Sequence, residues 1–158
     1  MQTRIQASRA LIDGADVFLD TNILIYAASG RVDEPEKHAR AQELLTGKFG
    51  TSGQVLAEFY ANVVKKGTTP LSVETASQWV GLLAKKPFQP VDANIVKDGI
   101  THSRTFGISY WDGAIIAAAE RLGAKTLYTE DLNHGQTYGA VIAINPFIDN
   151  AFEGNEGK

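Results

Sequence analysis

Val17-Phe18-Leu19-Asp20-Thr21-Asn22 is the stretch on which the reading of the fold turns. Three apolar residues make a run of strand length, and the chain passes at once through Asp20 and Thr21, types favoured as helix caps, into an apolar segment from Ile23 to Ala28 with helical character. A buried strand feeding directly into a helix is the opening of an α/β unit. Asp20 then stands just past the carboxyl end of that strand, on the edge where open α/β sheets bind ligands.

Working outward, the pattern repeats. Helices are expected at Glu36 to Leu45 and at Gln54 to Lys65, with a brief extended segment around Phe49 to Thr51 between them. Thr51 and Gln54 have capping-box spacing, which places the start of the second of these helices. Ser72 to Ala84 reads as a helix closed by Pro87, Phe88 to Val91 as extended, and Ala93 to Thr105 as a helix weakened by Gly99 and Thr101. Trp111 to Leu122, with three consecutive alanines and Gly123 just beyond, is the strongest helix. Strands follow at Thr126 to Thr129 and at Val141 to Ile144, the latter stopped by Asn145-Pro146. Parallel strands need helical crossovers, so this alternation predicts an α/β sandwich around a mainly parallel sheet.

The 158 residues suit one domain, and 44% hydrophobic with 21% charged residues is the composition of a folded protein with a real core. Residues 1–15 read as an N-terminal extension, 16–148 as the folded domain, and 149–158, polar with two glycines, as a flexible tail. The extension has no long apolar run, so neither a signal peptide nor a membrane span is expected there, and the absence of cysteine suits a cytoplasmic setting. It also excludes disulfides, thiolate metal sites and cysteine nucleophiles. A net charge of −3 argues against general attraction to nucleic acid, so any such contact must be local. Lys65-Lys66, Lys85-Lys86, Arg31 and Arg104 are the basic candidates, each equally readable as a solvated helix end.

Four carboxylates carry the chemistry. Asp20 sits at its strand end, though it or Thr21 could simply cap the helix. Glu58 borders the apolar stripe Val55, Leu56, Phe59, Tyr60 and Val63, where a carboxylate is partly desolvated unless it merely supports the helix from outside. Asp112 shares a helix face with Ile115, Ile116 and Ala119, yet Ser109 and Asp112 also have the spacing of a capping box. Asp131 follows the strand ending at Thr129; it could be an ordinary turn residue, and Glu130 could be the acid that matters. All four fall at strand ends or in early helical turns, which a parallel α/β sheet projects toward one rim. Crowded carboxylates repel, and hard divalent ions such as Mg²⁺ or Mn²⁺ compensate them while keeping waters for a phosphate substrate. Phosphodiester hydrolysis is the reaction this set implies.

Asp20-Thr21-Asn22 after an apolar strand, Glu58 within Leu56-Ala57-Glu58-Phe59, Tyr110-Trp111-Asp112 opening an alanine-rich helix, and Tyr128-Thr129-Glu130-Asp131-Leu132 together resemble the PIN-domain ribonucleases. The similarity is greatest to the VapC-type toxins of toxin–antitoxin pairs and covers about residues 16 to 148. It implies a three-layer sandwich with a five-stranded, mainly parallel sheet and a metal quartet, Mg²⁺ or Mn²⁺ on Asp20, Glu58, Asp112 and Asp131. Thr21, Asn22 and Thr129 match the polar positions around that quartet. The resemblance further implies endonucleolytic cleavage of RNA, a homodimer, and inhibition by an antitoxin. Residues 1–15 depart from the pattern, in which the first strand usually begins near the first residue.

Other signals are weaker. His38, His102 and His134 share no metal-ligand spacing, although His134 lies near enough to Asp131 to touch a substrate. No Gly-x-Ser-x-Gly elbow and no Gly-x-x-x-x-Gly-Lys loop occurs. Trp111, Phe59 and Tyr60 read as core, with the alternative that an aromatic at a groove stacks a base. The competing functions are a phosphatase, whose second aspartate the Asp20-Thr21-Asn22 segment lacks, and a catalytically silent binding module whose acids engage a partner's arginines.

Overall fold

The computed structural model describes residues 14–148. The expected extension, apart from Gly14 and Ala15, and the expected loose tail over 149–158 lie outside the described residues.

Strand β1 (Val17–Leu19) leads into helix α1 (Thr21–Ser29), and α2 (Pro35–Leu45) follows. A short strand β2 (Thr51–Ser52) opens directly into α3 (Gly53–Val63), then come α4 (Val73–Leu83) and β3 (Phe88–Gln89). The second half holds α5 (Ala93–Phe106), α6 (Tyr110–Arg121) and the strands β4 (Thr126–Tyr128), β5 (Thr137–Tyr138) and β6 (Val141–Ile144). Every helix expected from the sequence is present, with ends shifted by a residue or two. The cap of α3 differs: Ser52, not Thr51, accepts the hydrogen bond from Val55 N.

The expected five-stranded sheet is instead a four-stranded sheet in the order β1-β4-β6-β5 beside a two-stranded ladder, β2-β3. β1, β4 and β6 run parallel, as do β2 and β3, while β5 is antiparallel to β6. The two sheets are tied by one parallel bridge between Phe18 and Gly50, with Gly50 N donating to Val17 O at 2.8 Å and Leu19 N to Gly50 O at 3.1 Å. Pairing stops there because the chain enters α3 at Gly53. The hairpin β5–β6, turning at Gly139 with φ +63°, is a finding the sequence reading did not contain.

Phe18 and Leu19 point to opposite faces of the sheet, as successive strand residues must. Both are wholly buried, so both faces are covered and the architecture is three-layered. On one side α1 packs against α2 and α3, and α3 against α4; α6 lies against β2, β3 and β6, with α5 pressed onto it. The α5–α6 contact is close because of glycine. A β-carbon at Gly113 would collide with the Gly99 carbonyl, and one at Gly99 would come within 3.0 Å of Ala114 Cα. Gly99, read as a weakness in α5, is what lets α6 seat and so fixes where its first turn, carrying Asp112, emerges. Among the described residues no helix is long and apolar enough to cross a membrane.

Candidate active site at the carboxyl edge of the sheet

Pairing of the parallel strands continues past their formal ends. Asp20 N donates to Tyr128 O and Thr129 N to Ile144 O, both at 3.0 Å, which holds Asp20 and Thr129 side by side at the carboxyl edge. Asp20 is 4% exposed. One carboxylate oxygen accepts from Thr21 N at 2.7 Å, capping α1, and the other accepts from the Thr129 hydroxyl at 2.8 Å. The cap and the rim position, alternatives in the sequence, are one residue doing both.

Glu58 reaches the same edge from α3. It is half-buried, its Oε1 accepts from the Thr21 hydroxyl at 2.8 Å, and its Oε2 from Gln54 Nε2 at 3.3 Å. Asp112 arrives in the first turn of α6, its backbone N donating to Ser109 Oγ at 3.0 Å, so the cap predicted from Ser109 exists alongside a half-buried carboxylate. Asp131 is exposed; its N donates to Thr129 Oγ1 at 3.0 Å, and Asn22 Nδ2 approaches its Oδ1 at 3.5 Å. Thr129 therefore links Asp20 to Asp131, and Thr21 links α1 to Glu58.

Burial and neighbouring charges shift three of these acids. Burial pushes the Asp20 carboxyl up to about 7, against the hydrogen bonds from Thr129 and Thr21, and the charges of Asp131 and Glu58 add to the rise. Asp112 is raised by burial first and by Asp131 next, with Ser109 opposing and Glu58 reinforcing. Partial desolvation of its carboxylate, then the charges of Glu130 and Glu58, raise Asp131. The acids that pair with lysine or arginine among the described residues are others: Glu43, Asp98 and Glu130. Glu130, the alternative to Asp131, accepts from Lys37 Nζ and from the Tyr26 hydroxyl at 2.7 Å each and belongs to that neutralised set.

One expectation changes. Trp111, read as core, is 62% exposed, because α6 presents its alanine-rich face inward and its second residue outward at the rim. His134 accepts at Nδ1 from Asn145 N at 3.0 Å and so braces the chain after β6. Gln54, which the sequence places on the polar flank of Glu58 without a role, joins Glu58 to the Trp111 carbonyl through its amide, the latter at 3.2 Å.

Oxygen donors without a cationic partner suit a hard divalent ion, and their mutual repulsion is what such an ion would offset. Among the described residues no three acidic or histidine side chains are grouped so as to enclose an ion. The donor set fits.

The PIN domain family model matches residues 17–140, and the chain belongs to that family, whose members are nucleases. No curated protein sequence matches significantly. Among solved structures, a toxin–antitoxin complex from Klebsiella pneumoniae is similar with TM-score 0.61 at 18% identity, covering 83% of this chain and 98% of that one. VapC20 of Mycobacterium tuberculosis, a toxin that cleaves the sarcin–ricin loop, gives TM-score 0.56 at 18% identity over 73% of this chain and 89% of its own. VapBC2 of Rickettsia felis, solved on a fragment of promoter DNA, gives 0.54 at 21% identity, with 80% and 96% covered. At these identities the likeness is one of fold.

Proposed function

We propose that the chain is a metal-dependent endoribonuclease, with Asp20, Glu58, Asp112 and Asp131 holding Mg²⁺ or Mn²⁺, and that it serves in the cytoplasm as the toxin of a VapBC-type pair. The observation that carries this is the gathering, at one sheet edge, of four acids from separate segments, tied together through Thr21, Thr129 and Asn22, while the adjacent Glu130 is paired with Lys37. A hard divalent ion, when bound, supplies Lewis-acid chemistry, offsetting phosphodiester charge and promoting the ionisation of water. The chain's own residues supply position. Thr21 N and the Thr129 hydroxyl fix both oxygens of Asp20, the Thr21 hydroxyl and Gln54 fix Glu58, and Asn22 steadies Asp131, so the acids are preorganised rather than recruited. In hydrolysis the water oxygen bonds to phosphorus, the bond to one sugar oxygen breaks, and that oxygen takes up a proton.

The toxin role, a homodimer and an antitoxin that covers the acids with a basic side chain rest on the family and on toxin–antitoxin complexes among the similar folds. The test is incubation of the purified chain with structured and unstructured RNAs in Mg²⁺ or Mn²⁺, with a chelator in parallel. Cleavage abolished by chelator is expected. RNA left intact in every condition would favour the silent binding module, for which a chelator changes nothing. In cells, unpaired expression should arrest growth, and co-expression of the antitoxin should relieve the arrest.

A further inference from the structure

Beside the acids lies a groove of about 490 Å³, and Glu58 lines both. It is lined by small or apolar residues of α3 and the start of α5, among them Gly53, Ala57, Ala61 and Ile95, and by Tyr110 and Trp111. Trp111 is the residue before Asp112, its indole meets the Tyr110 ring edge-on at 5.0 Å, and most of its surface is open. Leaving an indole exposed forfeits the burial that keeps aromatics inside. Gln54 bonds the Trp111 carbonyl to the Glu58 carboxylate, so the aromatic wall and the acid rim are held in register.

We infer that this groove is the subsite for one unpaired nucleobase of the RNA, the base next to the cleaved phosphate, and that Trp111 is the residue on which it stacks. The inference rests on the nuclease reading of the acids and goes beyond it by naming a specificity residue. Three observations favour a base over a docked protein helix. Glu58 lines both volumes, so a phosphodiester at the acids places its neighbouring nucleoside at the groove. The volume is that of a small-molecule pocket, whereas a helix needs a channel long enough for anchors over two turns. Asn62 and Gln54 also line the groove, and with their amide nitrogens bonded to Glu58 and the Trp111 carbonyl their amide oxygens are left to accept from a base edge. With a net charge of −3, stacking supplies contact that phosphate attraction does not. Recognition of this kind requires the base to be splayed out, which selects single-stranded segments.

The test compares wild type, Trp111→Ala and Trp111→Phe, each checked by circular dichroism. Binding of short single-stranded RNA oligonucleotides, intact or carrying one abasic nucleotide at successive positions, is measured in chelator by fluorescence anisotropy, and cleavage is measured in Mg²⁺. We expect Trp111→Ala to weaken binding by about tenfold or more and to raise KM with little change in kcat, and Trp111→Phe to restore most of the loss. One abasic position should weaken the wild type comparably and leave Trp111→Ala unaffected. Unchanged binding and KM in Trp111→Ala, alongside intact cleavage, would overturn the subsite while leaving the nuclease standing. Base-dependent binding without cleavage in any metal would do the reverse. A variant that binds RNA normally but sediments differently from wild type would assign the groove to contact between copies of the chain and likewise overturn the proposal.

Discussion

Glu130 and Asp131 are adjacent in the chain and meet opposite treatment in the fold. Glu130 receives the Lys37 ammonium and the Tyr26 hydroxyl, and Lys37 lies over the rings of Tyr26 and Phe147, 5.0 and 5.5 Å from their centroids. Asp131 receives its partners from Thr129 and Asn22 and feels the charges of Glu130 and Glu58. The first arrangement is how a protein settles a partly buried acid when stability is the only demand. The second leaves repulsion in place at the edge of the sheet, a cost that stability alone would remove. The contrast is between an acid settled by a cation and an acid left beside like charges.

Substitution breaks the comparison most forcefully through activity. Asp112→Asn and Asp20→Asn should each lower RNA cleavage by about a hundredfold or more while leaving the far-UV circular dichroism unchanged, since each removes a charge at constant volume. Glu58→Gln should follow them. Glu130→Gln should cleave normally and unfold more easily, by about 1 kcal/mol, because a partly exposed ion pair with 33% and 19% of its side chains accessible contributes no more than that. Normal cleavage by Asp131→Asn together with a dead Glu130→Gln would mean that the two neighbours had been assigned the wrong way round.

That division was only partly legible in the sequence. Val17-Phe18-Leu19 followed by Asp20 disclosed both the first strand and the acid at its end, because an apolar triplet stopped by a cap residue has few other readings. Which of Glu130 and Asp131 faces the rim was not legible, since the answer depends on Lys37, a residue of α2 far away in the chain. Trp111 was misread for a related reason: an alanine-rich helix suggests burial all round, and only the angle of α6, set by Gly99 and Gly113 at the α5 contact, turns its second residue outward. Strand β5 escaped because two residues carry no period, and the sheet divided at Gly50 because a single bridge leaves no pattern in the chain.

Thermal unfolding against pH sharpens the contrast next. Asp20 binds its proton near 7 when folded and near 3.8 otherwise, so its contribution to metal-free stability is fully present below 3.8 and is lost as pH rises through 7. Asp112 and Asp131 shift the same way. Lys37, raised above 10.5 by its bond to Glu130, contributes evenly across that window and is lost only at higher pH. Without metal, Tm should therefore fall between pH 4 and pH 7, and less steeply in Asp20→Asn. Mg²⁺ at about 100 times its Kd should add roughly 2.7 kcal/mol near neutrality. The addition should vanish toward pH 4 as the acids take up protons. A metal-induced rise in Tm equally large at pH 4 would place the ion elsewhere.

The smallest effect separates buried threonines. At the rim the Thr129 hydroxyl donates to Asp20 and accepts from Asp131 N, so Thr129→Val orphans two partners and should cost about 1–3 kcal/mol. Thr51 lies at the junction of the two sheets, has no exposed surface, and its hydroxyl finds no partner among the described residues. A buried hydroxyl without a bond carries its desolvation cost and returns nothing, so Thr51→Val, which keeps the shape and removes the polar atom, should raise stability by about 0.5–1 kcal/mol and leave cleavage untouched. Valine also suits a strand position better. Equilibrium urea unfolding of the two variants decides the matter. A loss of stability in Thr51→Val as large as in Thr129→Val would show that the Thr51 hydroxyl is satisfied after all, and the distinction between polar groups wired to the acids and those merely enclosed beside them would fail.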